Sequence, residues 1–203
     1  MSILISPEKA SCDFVFDGKL RIIAPYKCGL TSVDYTLRKT NVRKVVRLHE
    51  ENIPTNEKVV MIVRDPIKRI PSLWNYFCNS SHALFRLSRN LGALGAYKNM
   101  PFSEFVDLVV ENKLRGRHIL PLVYYKGNRD IYKYMLTDNL AEHWAKVVQP
   151  IMALPDLKKM NTGEWSQDEY SGYYSDADLA KIQEAYADDI QLYNEALAVC
   201  ATY

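Results

Sequence analysis

Leu20-Arg21-Ile22-Ile23-Ala24-Pro25-Tyr26-Lys27-Cys28-Gly29-Leu30-Thr31-Ser32 passes from an apolar run, through a turn marked by proline and glycine, into a segment with apolar positions at helical spacing up to Lys39. The run is short enough for a buried strand. The turn residues end it, and Thr31 and Ser32 are of the type that caps a first helical turn. A strand, a loop and a helix N-terminus in this order present free backbone N–H groups and the positive end of a helix dipole to an anion. Gly29 permits close approach, Lys27 adds a full charge, the hydroxyls donate hydrogen bonds, and Cys28 and Leu30 contribute loop backbone, so phosphate or sulfate suits the position. The pattern is not G-x-x-x-x-G-K-[ST], because Lys27 precedes Gly29 by two residues, and an ordinary ATP-binding loop is disfavoured. Taken alone, the loop reads equally well as a capped helix with a surface lysine.

A second stretch changes that balance. Lys58-Val59-Val60-Met61-Ile62-Val63 reads as another buried strand, ended by Arg64-Asp65-Pro66, with Pro66 suited to the first turn of a following helix. Arg64 then stands at the C-terminal edge of a strand, where doubly wound α/β sheets bind ligands, and Ser72 lies on the helix beyond it. An isolated Arg-Asp-Pro more often just stabilises a turn. Beside the first loop it reads as a grip on a second phosphate.

Lys27-x-Gly29-x-Thr31-Ser32 after a strand, followed by Arg64-Asp65-Pro66-x-x-Arg69-x-x-Ser72 ahead of Trp74-Asn75-Tyr76-Phe77, resembles the sulfotransferases that use 3′-phosphoadenosine-5′-phosphosulfate, with the carbohydrate branch nearest. The resemblance runs from about Leu20 to Asn194, taking in Arg117-His118-Ile119-Leu120-Pro121, similar to an H-x-x-P segment of that family, and the closing helix after Tyr173-Tyr174-Ser175. It implies a P-loop NTPase-like, three-layer α/β sandwich around a central, mostly parallel sheet. It also implies that Lys27, Cys28, Gly29, Leu30, Thr31 and Ser32 hold the 5′-phosphosulfate while Arg64 and Ser72 hold the 3′-phosphate. Three departures stand out. Tyr26 separates Pro25 from Lys27, Leu30 replaces a small hydroxyl residue, and Pro71 sits inside the second helix, where it is expected to bend or interrupt it. Trp74 is a conceivable partner for adenine, although its spacing with Leu73 and Phe77 favours the core.

Val42 to Leu48 is a third strand candidate and delivers His49-Glu50-Glu51 to the same edge as both motifs. By analogy with the family's bases, His49 is the first candidate to deprotonate an acceptor hydroxyl, with Glu50 or Glu51 as substitutes and His118 as a rival or acceptor-positioning residue. Lys27 is the group placed to stabilise charge on the departing 5′-phosphate. His49, His82, His118 and His143 lack ligand spacing, so no metal is expected. Residues 82–117 are expected to form helices and a segment over the site that chooses the acceptor. Phe102 to Leu114 reads as a helix, Asp130 to Met135 as a short strand, Thr137 to Val148 as a helix capped by Thr137, and Asp176 to Val199 as one amphipathic helix.

Length and composition fit this reading. At 203 residues, 48% apolar and without linker or repeat, the chain suits a single domain over 1–203, with 1–18 as a possible flexible N-terminal segment. A net charge of +2 argues against a nucleic-acid or membrane-surface binder. Cysteines 12, 28, 78 and 200 have no disulfide-framework spacing, which points to a reducing compartment. With no apolar run of membrane-spanning length, the expectation is a soluble, cytoplasmic enzyme, and, since Golgi relatives carry an anchor, either a bacterial or viral type or a trimmed form of a longer protein. The expected partner is a hydroxyl-bearing acceptor, foremost a sugar or glycan. The rivals are a P-loop small-molecule kinase, which would need Mg-ATP, and a nucleotide-binding module of the same fold without turnover.

Overall fold

Five strands form one sheet in the order β3-β1-β2-β4-β5, where β1 is Asp13–Phe16, β2 Leu20–Ile23, β3 Arg43–Val45, β4 Lys58–Val63 and β5 Lys133–Leu136. This is a computed structural model, and it describes residues 13–16, 18–38, 40, 43–45, 56–80, 91–160 and 172–203. Strand β1 is antiparallel to β2 and β3, whereas β2–β4 and β4–β5 are parallel, so four of these five strands run one way. The helices α1 (Leu30–Leu37), α2 (Pro66–Trp74), α3 (Phe102–Asn112), α4 (Leu122–Lys126), α5 (Leu140–His143), α6 (Asp176–Ala185) and α7 (Ala187–Cys200) complete a mixed α/β architecture.

The chain divides into two compact units. A sheet unit comprises Ser6–Arg64, Leu122–Gly163 and Leu192–Tyr203, and a helical unit comprises Met1–Ile5, Asp65–Pro121 and Glu164–Gln191.

In the sheet unit, β2 and β4 occupy the segments that Leu20, Ile22 and Ile23 and the apolar run Val59–Val63 predict, because strands buried on both faces have no solvent side to mark with polar residues, and the one charged residue among these, Arg21, is itself buried. Strand β3 falls within the expected 42–48, while His49, Glu50 and Glu51 lie outside the described residues. Within the possible flexible segment 1–18, residues 1–12 lie outside the described residues, and Asp13–Phe16 is instead a strand, β1, paired on both sides. Its disguise is a buried acid. Asp13 Oδ2 accepts from Arg21 Nη1 at 3.2 Å and from Arg129 Nη1 at 2.7 Å, and Arg21 Nε donates to Glu57 Oε2 at 2.7 Å. Burial pushes the Asp13 carboxyl up from its ordinary range against the pull of Arg129 and Arg21.

The expected Thr137 cap is also corrected. Thr137 extends the β5 pairing, its N–H and hydroxyl both donating to Val63 O, and the helix starts at Leu140 and passes into a π-helical turn, Trp144–Val148. Within it His143 Nδ1 accepts the Leu136 N–H at 2.9 Å, which requires an unprotonated nitrogen. Burial holds its pKa below the usual value near 6.5, with Glu142 opposing. The unfolded chain therefore takes up this proton first as pH falls, so the stability contribution is complete above about 6.5 and is lost on acidification below it. The urea midpoint is expected to fall more between pH 7.5 and 5.5 in the wild type than in His143→Gln, which keeps an acceptor but does not titrate. Equal slopes would remove His143 from the account.

In the helical unit, Asp65 caps α2 by accepting the Ile67 N–H at 2.8 Å, and Pro66 takes the first helical position, where no N–H is needed. Pro71 lies inside α2 and supplies no N–H to Ile67 O, four residues back. The Tyr174 hydroxyl donates to that carbonyl instead, at 3.0 Å. The expected disturbance appears directly afterwards as a π-helical turn, Asn75–Asn79. Trp74 belongs to the core. Its Nε1 donates to Met100 O at 2.7 Å, and its ring meets Phe102 and Tyr173 at centroid distances of 5.6 and 5.4 Å. The single C-terminal helix expected over 176–199 is two helices, divided at Tyr186, and Ser175 is the residue that caps the first.

Candidate functional site

The loop between β2 and α1 is built around two left-handed residues, Lys27 at φ 66° and Gly29 at φ 86°. Cys28 N–H closes a turn onto Pro25 O at 3.1 Å, and the Cys28 thiol is buried, with Sγ 3.8 Å from Tyr26 O. Gly29 is the N-cap, its carbonyl accepting the N–H groups of Ser32 and Val33. A Cβ on Gly29 would also lie 2.4 Å from Leu140 Cδ2, so both conformation and space require glycine.

Thr31 and Ser32 are not caps, contrary to expectation. The helix begins at Leu30, one residue too early for either hydroxyl to precede it. Thr31 is exposed, whereas Ser32 is buried and its Oγ accepts the Met160 N–H at 3.1 Å. One turn on, Thr36 Oγ1 accepts the Lys158 N–H at 2.9 Å. Two hydroxyls four residues apart thus tie the 158–160 backbone along α1. The Ser32 hydroxyl still has its own proton to donate.

The parallel pairing of β2 with β4, which sets Ile23 beside Met61, brings the ends of both strands to one edge of the sheet. Arg64, just past β4, reaches back across it, and its Nη1 donates to Lys27 O at 2.9 Å. The two sequence motifs therefore meet, through a side chain of one and the backbone of the other. A guanidinium, an ammonium-bearing residue and a helix N-terminus thus share one edge of the sheet, and each is a group that attracts anions. Ser72 stands half-buried on α2 in the helical unit. His118, in the same unit, is buried with its ring edge-on to Phe77 at 4.9 Å. Among the described residues no cluster of three His, Cys, Asp or Glu side chains is arranged as a metal would need.

A model of the sulfotransferase family matches residues 30–194, more than half of the chain. The chain belongs to the sulfotransferase family. No curated protein and no solved structure matches significantly. The match begins at Leu30, so it takes in Thr31, Ser32, Arg64, Ser72 and His118, while Lys27 and Gly29 of this sulfotransferase immediately precede it. Among the described residues of the sulfotransferase no helix is long and apolar enough to cross a membrane.

Sequence reasoning missed the residues that brace α1 and the loop before it. The amides of Lys158 and Met160 are backbone donors and carry no side-chain signature; the i, i+4 hydroxyl pair Ser32 and Thr36 is their trace in the sequence. Leu140, which closes over Gly29, is an ordinary helix leucine by pattern.

Proposed function

We propose that this sulfotransferase moves a sulfuryl group from 3′-phosphoadenosine-5′-phosphosulfate to an acceptor hydroxyl, foremost of a carbohydrate, by direct in-line transfer in a soluble, cytoplasmic setting. The hydrogen bond from Arg64 to Lys27 O carries the reading, because it joins the two anion-binding motifs on one sheet edge. The strand, loop and helix at β2–α1 and the parallel β2–β4 pair support a P-loop NTPase-like, three-layer fold, and the span of the family match supports a single domain. The residues present suit the donor chemically. Lys27, Cys28, Gly29, Leu30, Thr31 and Ser32 would hold the 5′-phosphosulfate, and Arg64 with Ser72 the 3′-phosphate that ATP lacks.

The donor supplies the sulfuryl group and departs as 3′-phosphoadenosine-5′-phosphate. Lys27 neutralises charge at the 5′-phosphate side, and the α1 N-terminus orients non-bridging oxygens with dipoles already in place. The base that takes the acceptor proton is assigned to His49, Glu50, Glu51 or His118. The scheme calls for no metal.

Calorimetry with 3′-phosphoadenosine-5′-phosphate, 5′-AMP and Mg-ATP tests the donor site. The 3′-phosphate compound is expected to bind tightest, and Arg64→Ala to weaken it by about 10- to 100-fold, the worth of a hydrogen bond to a charged group. Equal or tighter binding of Mg-ATP would overturn the reading in favour of a kinase. Donor binding without transfer to any hydroxyl in an acceptor screen would favour a non-catalytic module.

A further inference from the structure

We propose that Arg69 is a positioning residue which, with Asp189 and Tyr186, fixes three consecutive carbonyls at His118, Ile119 and Leu120 and so sets the backbone that carries the His118 imidazole. The link to transfer rests on the role proposed above for His118; the clamp itself rests on contacts within the helical unit.

Arg69 is fully buried on α2, yet a guanidinium is costly to bury and a leucine would fill a core position with less penalty. Its fork is spent on backbone, with Nη2 donating to His118 O and Nη1 to Leu120 O, each at 3.0 Å. Fully buried Asp189 balances the charge, its Oδ2 3.8 Å from Nη1. The carbonyl between them is taken by the Tyr186 hydroxyl, which donates to Ile119 O at 2.6 Å. Burial raises the Tyr186 pKa above its ordinary range, so the hydroxyl stays a donor. From the other side, the Ile119 and Leu120 N–H groups both bond to Gly116 O, at 2.9 and 2.8 Å. The turn has little slack, since a Cβ on Gly116 would come within 3.0 Å of Ile119 Cγ1. The break between α6 and α7 falls at Tyr186, the residue whose hydroxyl must reach this turn. Three residues after Arg69, α2 carries Ser72, so one helix holds both the clamp and a residue assigned to the donor.

The test uses histidine-labelled full-length protein, with the His118 ring signal assigned by His118→Gln. Tyr186→Phe removes one hydroxyl and keeps the packing; Arg69→Lys keeps the charge opposite Asp189 but loses the fork, and if it fails to fold, Tyr186→Phe carries the test. The folded variants are expected to move or broaden the His118 ring signal and to speed amide exchange over 116–120 by at least about tenfold. Release of labelled sulfate from 3′-phosphoadenosine-5′-phosphosulfate to water, in which water oxygen bonds to sulfur as the bond to the 5′-phosphate breaks, is expected to lose on the order of tenfold in kcat with KM within twofold. Tyr186→Phe should add nothing in a His118→Gln background. An unchanged ring signal and unchanged exchange, or losses that multiply in the double variant, would overturn the proposal. Failure of the wild type to bind 3′-phosphoadenosine-5′-phosphate would instead sink the donor reading, while the spectroscopic and exchange measurements still decide the clamp.

Discussion

Lys27→Gly is expected to lower kcat for sulfuryl transfer by about 100- to 1,000-fold, the usual cost of removing one preorganised group aimed at developing transition-state charge. The same substitution is expected to change folding stability by less than about 1 kcal/mol, and the contrast is what makes it informative. Lys27 adopts φ 66°, a conformation that costs a non-glycine residue on the order of 1 kcal/mol or more. Glycine relieves that cost, while its greater freedom in the unfolded chain takes back roughly 0.5–1 kcal/mol. The structure tolerates the strain because Arg64 holds the Lys27 carbonyl and Gly29 supplies the second left-handed residue of the turn. Under the role proposed for Lys27, its ammonium is what the left-handed conformation is held for. Turnover by Lys27→Gly within threefold of the wild type, measured with labelled donor and an acceptor found by screening, would remove Lys27 from catalysis.

Lys27→Arg separates charge from geometry. Arginine preserves the cation but spreads it over a planar fork, so donor affinity should hold better than kcat. If both are retained, a diffuse positive field is sufficient.

The parts of this site that were legible in the sequence are those in which the residue type itself does the work. A strand buried on both faces is mostly apolar, so β2 and β4 announce themselves despite Arg21, and the turn between β2 and α1 announces itself by Pro25 and by Gly29 at its left-handed position. What could not be read is work done by backbone and by tertiary partners. Tyr174 looks like one tyrosine among fourteen, yet it supplies the hydrogen bond that Pro71 withholds from Ile67 O. Ser32 looks like a cap and is instead a tie for Met160 N–H. Asp13 breaks the apolar pattern of β1, because its charge is matched by Arg21 and Arg129, distant in sequence from each other. Arg69 has the same disguise. In R-D-P-x-x-R-x-x-S it resembles another surface cation of a basic stretch, and its fully buried position is decided by Asp189, far along the chain.

Arg21→Met is expected to destabilise the protein by about 3–5 kcal/mol, more than any cavity left by this nearly isosteric change, because it strands buried charge. Arg21 is 4% exposed and joins two carboxylates that have no exposed side-chain surface, Glu57 at 2.7 Å and Asp13 at 3.2 Å. The network is not generously bonded, since Asp13 Oδ1 and Glu57 Oε1 find no hydrogen-bond partner among the described residues. Its members thus depend on the guanidinium they share. They do not depend on it equally. Asp13 keeps Arg129, whose Nη1 lies 2.7 Å from Oδ2 and whose Nε is anchored on Lys126 O at 3.0 Å, whereas the ion pair of Glu57 is with Arg21. Neutralising Glu57 should therefore rescue the variant and neutralising Asp13 should not, because Asp13→Asn would also deprive Arg129 of its counter-charge. In urea unfolding, Arg21→Met/Glu57→Gln is expected to regain about half of the loss or more, and Arg21→Met/Asp13→Asn to fall at or below the single variant. The reverse order would overturn this account, since it would require Asp13 to be neutral in the folded state and Arg129 to bond to it as to a neutral acid.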